Sequence, residues 1–112
     1  MTRNYLTSGL DKEKASISLP VDAFVELKEF FDGLEYEIVL GKSDLGSYQH
    51  SFVTDICDDL ELIEKHDSEP YEIWMEYDIL EELYLLAGDC NVVVGAEMRD
   101  ALKEFDRLKS EV

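Results

Sequence analysis

The chain has 112 residues, of which 27 are acidic and 10 are Lys or Arg, so its formal net charge at pH 7 is −17. This length fits one domain, and a hydrophobic fraction of 46% allows a core despite the charge. So negative a surface repels nucleic-acid phosphates and anionic lipid headgroups, which excludes direct binding to nucleic acid or to a membrane surface. The partner expected from charge is therefore a basic protein.

We expect no targeting or membrane segment in this chain. Its first residues lack the continuous apolar stretch of a signal peptide, and nothing later approaches the ~18 apolar residues of a membrane helix. A cytoplasmic location is therefore expected. In that compartment the two cysteines, Cys57 and Cys90, are expected to be free thiols.

The first predicted elements are a strand, a helix and a second strand. Residues 15–19 alternate apolar and polar, which predicts a short strand, and Pro20 suits the first position of a helix. Apolar residues then recur at helical spacing, and Gly33 has the place of a C-terminal cap, so a helix is predicted over residues 20–32. Alternation from Glu35 to Gly41 predicts a half-buried strand.

The stretch from residue 42 to residue 66 fits two interpretations. A turn over residues 41–46 would allow a hairpin strand at residues 47–53, after which Thr54 caps a helix from Asp55 to Lys65. The alternative is one long helix, because apolar residues of the whole stretch also fit one helical face. We favour the hairpin followed by the helix.

The second half begins with the clearest alternation in the chain. Residues 71–78 predict a strand that places Trp74 on one face with Glu72, Glu76 and Asp78. A continuous helix from Pro70 is the rival interpretation.

Three further elements complete the prediction. Asp78 and Glu81 have the spacing of a capping box, which predicts a short helix that ends at Gly88. Residues 91–94 read as a short strand, and residues 98–110 as a last amphipathic helix. Strands and helices in no strict alternation predict an α+β fold over residues 1–112, with a small antiparallel or mixed sheet and three to four helices packed on it.

No motif indicates catalysis, a cofactor or a metal. Gly41-Lys42-Ser43 resembles the end of a phosphate-binding loop, but that loop requires a glycine where this chain has Tyr36. The spacing of the acids after residue 54 does not match an EF-hand, and the His and Cys residues lack the spacing of a zinc site. No set of nucleophile, base and oxyanion donors is recognisable, so we expect a non-enzymatic protein without cofactors.

The acidic residues are concentrated in one part of the chain. Between Asp44 and Asp89 there are 14 acids and one base, Lys65, so this window carries −13 of the net charge of −17. Such a concentration opposes folding through self-repulsion, which favours a role in meeting a positive surface. Aromatic residues ringed by polar groups are typical interface anchors, and Trp74 lies among these acids.

The predicted partner-binding surface lies within residues 55–82 and comprises Asp55, Asp58, Asp59, Glu61, Glu72, Trp74, Glu76, Asp78, Glu81 and Glu82. Our leading hypothesis is an inhibitor that binds the basic nucleic-acid-binding surface of a nuclease or related protein, as a nucleic-acid mimic of the anti-CRISPR or antirestriction type from a phage or plasmid. An immunity protein that neutralises a cognate basic toxin is one alternative. An acidic homodimeric adaptor without inhibitory role is the other.

Overall fold

The structure is a computed structural model that describes residues 5–8, 13–42 and 44–110, without the side chains of residues 108–110. The described elements are, in chain order, β1 (Ala15–Leu19), α1 (Val21–Val39), α2 (Ser47–His66), β2 (Tyr71–Met75), α3 (Tyr77–Ala87) and α4 (Val92–Ser110). A two-stranded antiparallel sheet with four helices confirms the predicted α+β class. None of the described helices is both long and apolar enough to cross a membrane.

The sheet forms where the alternation of the sequence predicts strands. In the antiparallel register Ile17 lies opposite Ile73 and Leu19 opposite Tyr71, so the buried side chains of both strands share one face. The other face carries Ser16, Ser18, Glu72 and Trp74. β2 ends at Met75, so the predicted strand over residues 71–78 is three residues too long, because Tyr77 already begins α3.

Contacts cover both edges of this sheet. Thr7 and Trp74 exchange two backbone hydrogen bonds of 3.0 and 2.8 Å at the edge of β2. At the edge of β1, the N–H of Ser18 donates to Oε1 of Glu97 on α4 over 2.8 Å. Because an open edge offers unpaired groups to another chain, these contacts protect the sheet from edge-to-edge pairing.

Helix α1 continues far beyond its predicted end, and the strand predicted over residues 35–41 is wrong. Leu34 and Ile38 are half-buried against the core and continue the helical spacing of the fully buried Leu27 and Phe31. The alternation that predicted a strand therefore belongs to a helix with one half-buried face. Gly33 lies inside the helix and is not its cap.

The true end of α1 is a glycine cap at Gly41. Its φ angle is +72°, and its N–H donates to the carbonyl of Ile38 while the N–H of Lys42 donates to that of Glu37. These two bonds form a Schellman motif, which ends a helix by satisfying its last carbonyls. Gly41 therefore ends α1 and begins the loop to α2. Ser43, the last residue of the motif that resembles a phosphate-binding loop, lies outside the described residues.

Helix α2 decides between the two interpretations of residues 42–66. The chain is helical from Ser47, so the hairpin strand at residues 47–53 is wrong and the long helix is right. The side chain of Gln49 accepts the N–H of Gly46 over 3.2 Å and so caps the helix start. Thr54 does not cap a helix, since its hydroxyl donates to the carbonyl of His50 inside α2.

The predicted strand at residues 91–94 is also wrong. The side-chain oxygen of Asn91 accepts the N–H groups of Val93 and Val94 over 2.8 and 3.2 Å, which makes Asn91 the N-cap of α4. Local capping outweighs the strand preference of three valines, of which Val94 turns into the core. The predicted last helix is thus confirmed but begins earlier, at Val92.

The predicted capping box at the start of α3 is wrong. The residue before this helix is Glu76, and Asp78 lies within its first turn.

Buried side chains from every described element form one hydrophobic core. α1 lies at its centre, because it packs against β1 and against the other three helices. Phe24 of α1 stacks on Tyr71 of β2 with ring centroids 4.1 Å apart, and Tyr77 of α3 stacks on Phe105 of α4 at the same distance.

The continuation of α1 can be tested at its two glycines. Gly33 is exposed in the helix and an added Cβ meets no atom within 4 Å, so Gly33→Ala should raise the free energy of unfolding by about 0.5–1 kcal/mol. Gly41→Ala, at a left-handed φ, should lower it by about 1–2 kcal/mol. Urea unfolding of both variants measures the difference, and destabilisation by Gly33→Ala would mean that the helix ends there.

Candidate partner-binding surface

The helices differ strongly in charge. α1 has six acids and one base, α2 has five acids and one base, and α3 has three acids and no base. α4, in contrast, has four acids and four bases. α2 packs mainly on α1, whereas α4 packs mainly on β1 and α3 and less extensively on α1, so the two most acidic helices are direct neighbours.

The residues predicted to bind a partner have three different environments. Six acids are exposed, namely Asp58, Glu61, Glu72, Glu76, Asp78 and Glu81. Three residues are half-buried, namely Asp55, Trp74 and Glu82. Asp59 is buried, with 3% of its surface exposed.

Asp59 therefore does not belong to an exposed binding face, and its inclusion in the predicted surface is wrong. Its Oδ2 accepts the N–H groups of Tyr5 and Leu6 over 2.8 and 3.1 Å. The carboxylate thus fixes the N-terminal segment against α2, and Thr7 in the same segment pairs with β2. Charge alone could not distinguish this structural acid from its exposed neighbours.

Burial also changes the proton affinity of Asp59. Loss of solvent raises the pKa of this carboxyl above its ordinary value, and the nearby charges of Asp55 and Asp58 add to the effect. The two hydrogen bonds from the backbone act in the opposite direction. Desolvation prevails, so the ionised form is held at a cost in the folded protein.

The exposed acids of α2 meet acids of α1 that the sequence did not point to. Glu35 lies half-buried on α1, and its pKa is raised first by burial and then by the charges of Asp58, Asp32 and Glu61. Two helices thus bring their carboxylates together. We call Asp32, Glu35, Asp58 and Glu61 the acidic helix pair.

The misassigned strand explains why half of this group was missed. The predicted strand over residues 35–41 separates Glu35 from the helix of Asp32, and the acidic window of the sequence begins only at Asp44. The helical spacing of Leu34 and Ile38 was the available signal, because it extends α1 and carries Glu35 along with it.

Two lysines lie beside the acidic helix pair, namely Lys28 on α1 and Lys65 on α2. Nζ of Lys28 is 3.5 Å from a carboxylate oxygen of Asp32 and 4.0 Å from one of Glu64. Both acids are about half exposed, and ion pairs of this kind contribute little to stability. Chemically, the remaining carboxylates can accept hydrogen bonds from the ammonium and guanidinium groups of a partner.

The second group of predicted acids lies on the strand and the helix after it. Glu72 and Trp74 share the face of the sheet that also carries Ser16 and Ser18. Glu76, Asp78 and Glu81 follow at the start of α3. The segment of Tyr5 to Thr7 connects this group to α2 through its bonds with Asp59 and Trp74.

The two cysteines are free thiols. Burial, together with the charges of Glu35, Asp32 and Asp58, raises the pKa of Cys57 to about 12. The thiol is therefore protonated at neutral pH and a poor nucleophile. Among the described residues no group of three or more His, Cys, Asp or Glu side chains is arranged to hold a metal ion.

Comparison with known protein families, with curated proteins and with solved structures found no match for this chain.

The structural role of Asp59 can be separated from its charge. Asp59→Ala leaves two backbone N–H groups without their acceptor and should lower the free energy of unfolding by about 1–3 kcal/mol. Asp59→Asn keeps an acceptor oxygen and removes a desolvated charge, so it should cost much less. Asp58→Ala, on the exposed neighbour, is the control and should change stability by no more than about 0.5 kcal/mol. Urea unfolding gives all three values, and equal losses for the Ala and Asn variants would show that the charge itself is needed.

The raised pKa values predict how stability depends on pH. A carboxyl that binds its proton more tightly in the folded than in the unfolded protein stabilises the fold below its unfolded pKa and loses this contribution as pH rises through its folded pKa. From their ordinary values of 4.5 and 3.8, Glu35 and Asp59 should therefore make the protein more stable near pH 4 to 5 than at pH 7.

The contribution of Glu35 can be isolated by substitution. Glu35→Gln should raise stability at pH 7, because it removes a half-buried charge among three others, and the gain should shrink below pH 4.5. Glu29→Gln, elsewhere on α1, controls for the change in net charge. Chemical unfolding in low salt at both pH values measures the effect, and identical results for the two variants would contradict it.

Proposed function

We propose that this chain is a non-enzymatic inhibitor that occupies the basic nucleic-acid-binding surface of a nuclease or related protein. The observation that carries the proposal is the acidic helix pair, in which three exposed carboxylates and the half-buried Glu35 lie on two helices that pack together. Only two lysines, Lys28 and Lys65, lie beside them among the described residues. Such an arrangement costs stability through repulsion, and a positive partner surface would relieve it.

The spacing of the acids supports imitation of a nucleic acid. Asp32 and Glu35, like Asp58 and Glu61, are three residues apart on a helix, which corresponds to about 4.5 Å along its axis. Successive phosphates of one DNA strand are about 3.4 Å apart when measured along the duplex axis. Two adjacent pairs of carboxylates at a comparable axial spacing would offer a basic cleft the same sign of charge as a short run of phosphates.

The exposed acids of β2 and α3 extend the negative surface. Glu72, Glu76, Asp78 and Glu81 are all exposed, and residues 67–81 contain no base. The proposed partners are a CRISPR effector, a restriction enzyme or another nuclease that handles nucleic acid in the cytoplasm. An immunity protein against a basic toxin would use the same surface, and a toxin nuclease therefore belongs in the same test.

A homodimeric adaptor is the second candidate, and exposed apolar residues at the end of α1 favour it. The charge opposes it, because self-association would bring two chains of −17 together. We therefore retain the inhibitor as the conclusion.

The test measures release of nucleic acid from candidate partners. A fluorescent DNA duplex is bound to each of several nucleases, and the chain is titrated in while anisotropy reports the duplex that remains bound. Release should be complete near an equimolar ratio, and it should weaken as salt shortens the Debye length from ~10 Å at 0.1 M to ~3 Å at 1 M. Release at strongly substoichiometric amounts would indicate turnover and an enzyme.

Charge reversals should locate the surface. Asp58→Lys with Glu61→Lys, and separately Glu72→Lys with Glu81→Lys, should weaken inhibition by at least about tenfold because each opposes the positive groups of the partner. Asp100→Lys with Glu104→Lys on α4 changes the net charge equally and should have a much smaller effect. If all three variants weaken inhibition to the same extent, the net charge acts at long range and no defined face exists.

A further inference from the structure

The last turn of α1 exposes an apolar face. Tyr36, Val39 and Leu40 are 65%, 78% and 48% exposed. On a helix these positions are three and four residues apart, so their side chains are neighbours. Gly41 then ends the helix, which leaves the face at the end of an element. We call these three residues the α1 apolar end.

The core does not account for this face. On the same turn, Ile38 packs partly against the core and already serves the interior. Tyr48 at the start of α2, close to the loop that follows α1, is also 67% exposed. Exposed large side chains grouped in this way are typical of interaction sites.

The charges around the α1 apolar end indicate the chemistry of its occupant. Asp32 and Glu35 of the acidic helix pair lie four residues before Tyr36 and Val39, on the same side of the helix. From residue 32 to residue 61 the chain has eight acids and one base, Lys42. A second copy of this chain would be repelled here, whereas a segment with lysines and arginines beside apolar side chains would be complementary in both respects.

We propose that the α1 apolar end binds apolar side chains of a basic partner segment whose lysines and arginines meet the acidic helix pair. This inference rests on the proposed function and adds to it a specific contact. Electrostatic attraction steers the partner and is weakened by salt. Burial of Tyr36, Val39 and Leu40 supplies a second attraction that salt does not screen. A partner therefore needs an apolar face beside its basic surface.

The experiment uses two lysine-rich peptides of equal length and equal charge. One carries leucines at the i, i+3, i+4 and i+7 positions of a helical face, and the other carries glutamines at these positions. Binding of each labelled peptide to the full chain is measured by fluorescence anisotropy at low and at high salt. The leucine peptide should bind at least about tenfold more tightly than the glutamine peptide, and this advantage should persist as salt rises.

Matched variants assign the advantage to a place on the molecule. Replacing Tyr36, Val39 and Leu40 by Gln should abolish the advantage of the leucine peptide and leave binding of the glutamine peptide unchanged. The control replaces Leu85, Val92 and Val93, exposed by 79%, 88% and 42% at the junction of α3 and α4, and should retain the advantage. Urea unfolding of both triple variants establishes that they are folded.

Each other outcome overturns the inference. Equal binding of the two peptides in a salt-dependent manner would remove the apolar contact and leave the electrostatic proposal in place. If neither peptide binds at low salt, both the apolar contact and the electrostatic proposal are wrong. An advantage that survives in the α1 variant would place the contact elsewhere. A dimer of the unmodified chain in sedimentation, converted to a monomer by the α1 variant, would assign the face to a second copy.

Discussion

The packing of α1 across the sheet is the interaction on which the rest of the structure depends. Two short strands are at best marginally stable in water and need a helix on their apolar face. Phe24, Leu27 and Phe31 of α1 are fully buried in the core, and Phe24 stacks on Tyr71 of β2. Because α1 also packs against α2, α3 and α4, every other helix is positioned relative to it.

The length of α1 explains where the exposed surface arises. Nineteen helical residues extend about 28 Å, whereas a strand of five residues extends about 17 Å. The helix therefore projects beyond the sheet that it covers, and its second half packs on α2. That half carries Glu35 of the acidic helix pair and ends in the α1 apolar end. One structural requirement thus provides the charged and the apolar parts of the proposed binding surface.

Acidic residues have two roles in this molecule, and the extent of burial determines which role a given residue has. Asp59 is enclosed and one of its carboxylate oxygens accepts two backbone N–H groups, so this acceptor organises the N-terminal segment. Asp58 beside it is exposed, and its charge adds to the effect of burial in raising the pKa of Glu35 across the helix interface. Neighbours in sequence point in different directions on a helix, which gives adjacent aspartates a structural role and a surface role.

The sequence by itself determined the net charge, the α+β class and both strands of the sheet, because alternation over Ala15 to Leu19 and Tyr71 to Met75 reflects burial of one strand face. It also contained the residues that end α1 and begin α4, Gly41 and Asn91. Local patterns alone, however, equally favoured a helix end at Gly33 and a strand over the three valines. Only the tertiary structure decided between them, since the core contacts of Leu34, Ile38 and Val94 favour helix at both places. The burial of Asp59 and the meeting of Glu35 with Asp58 were likewise decided by packing, because periodicity shows which face of an element is buried and not which other element covers it.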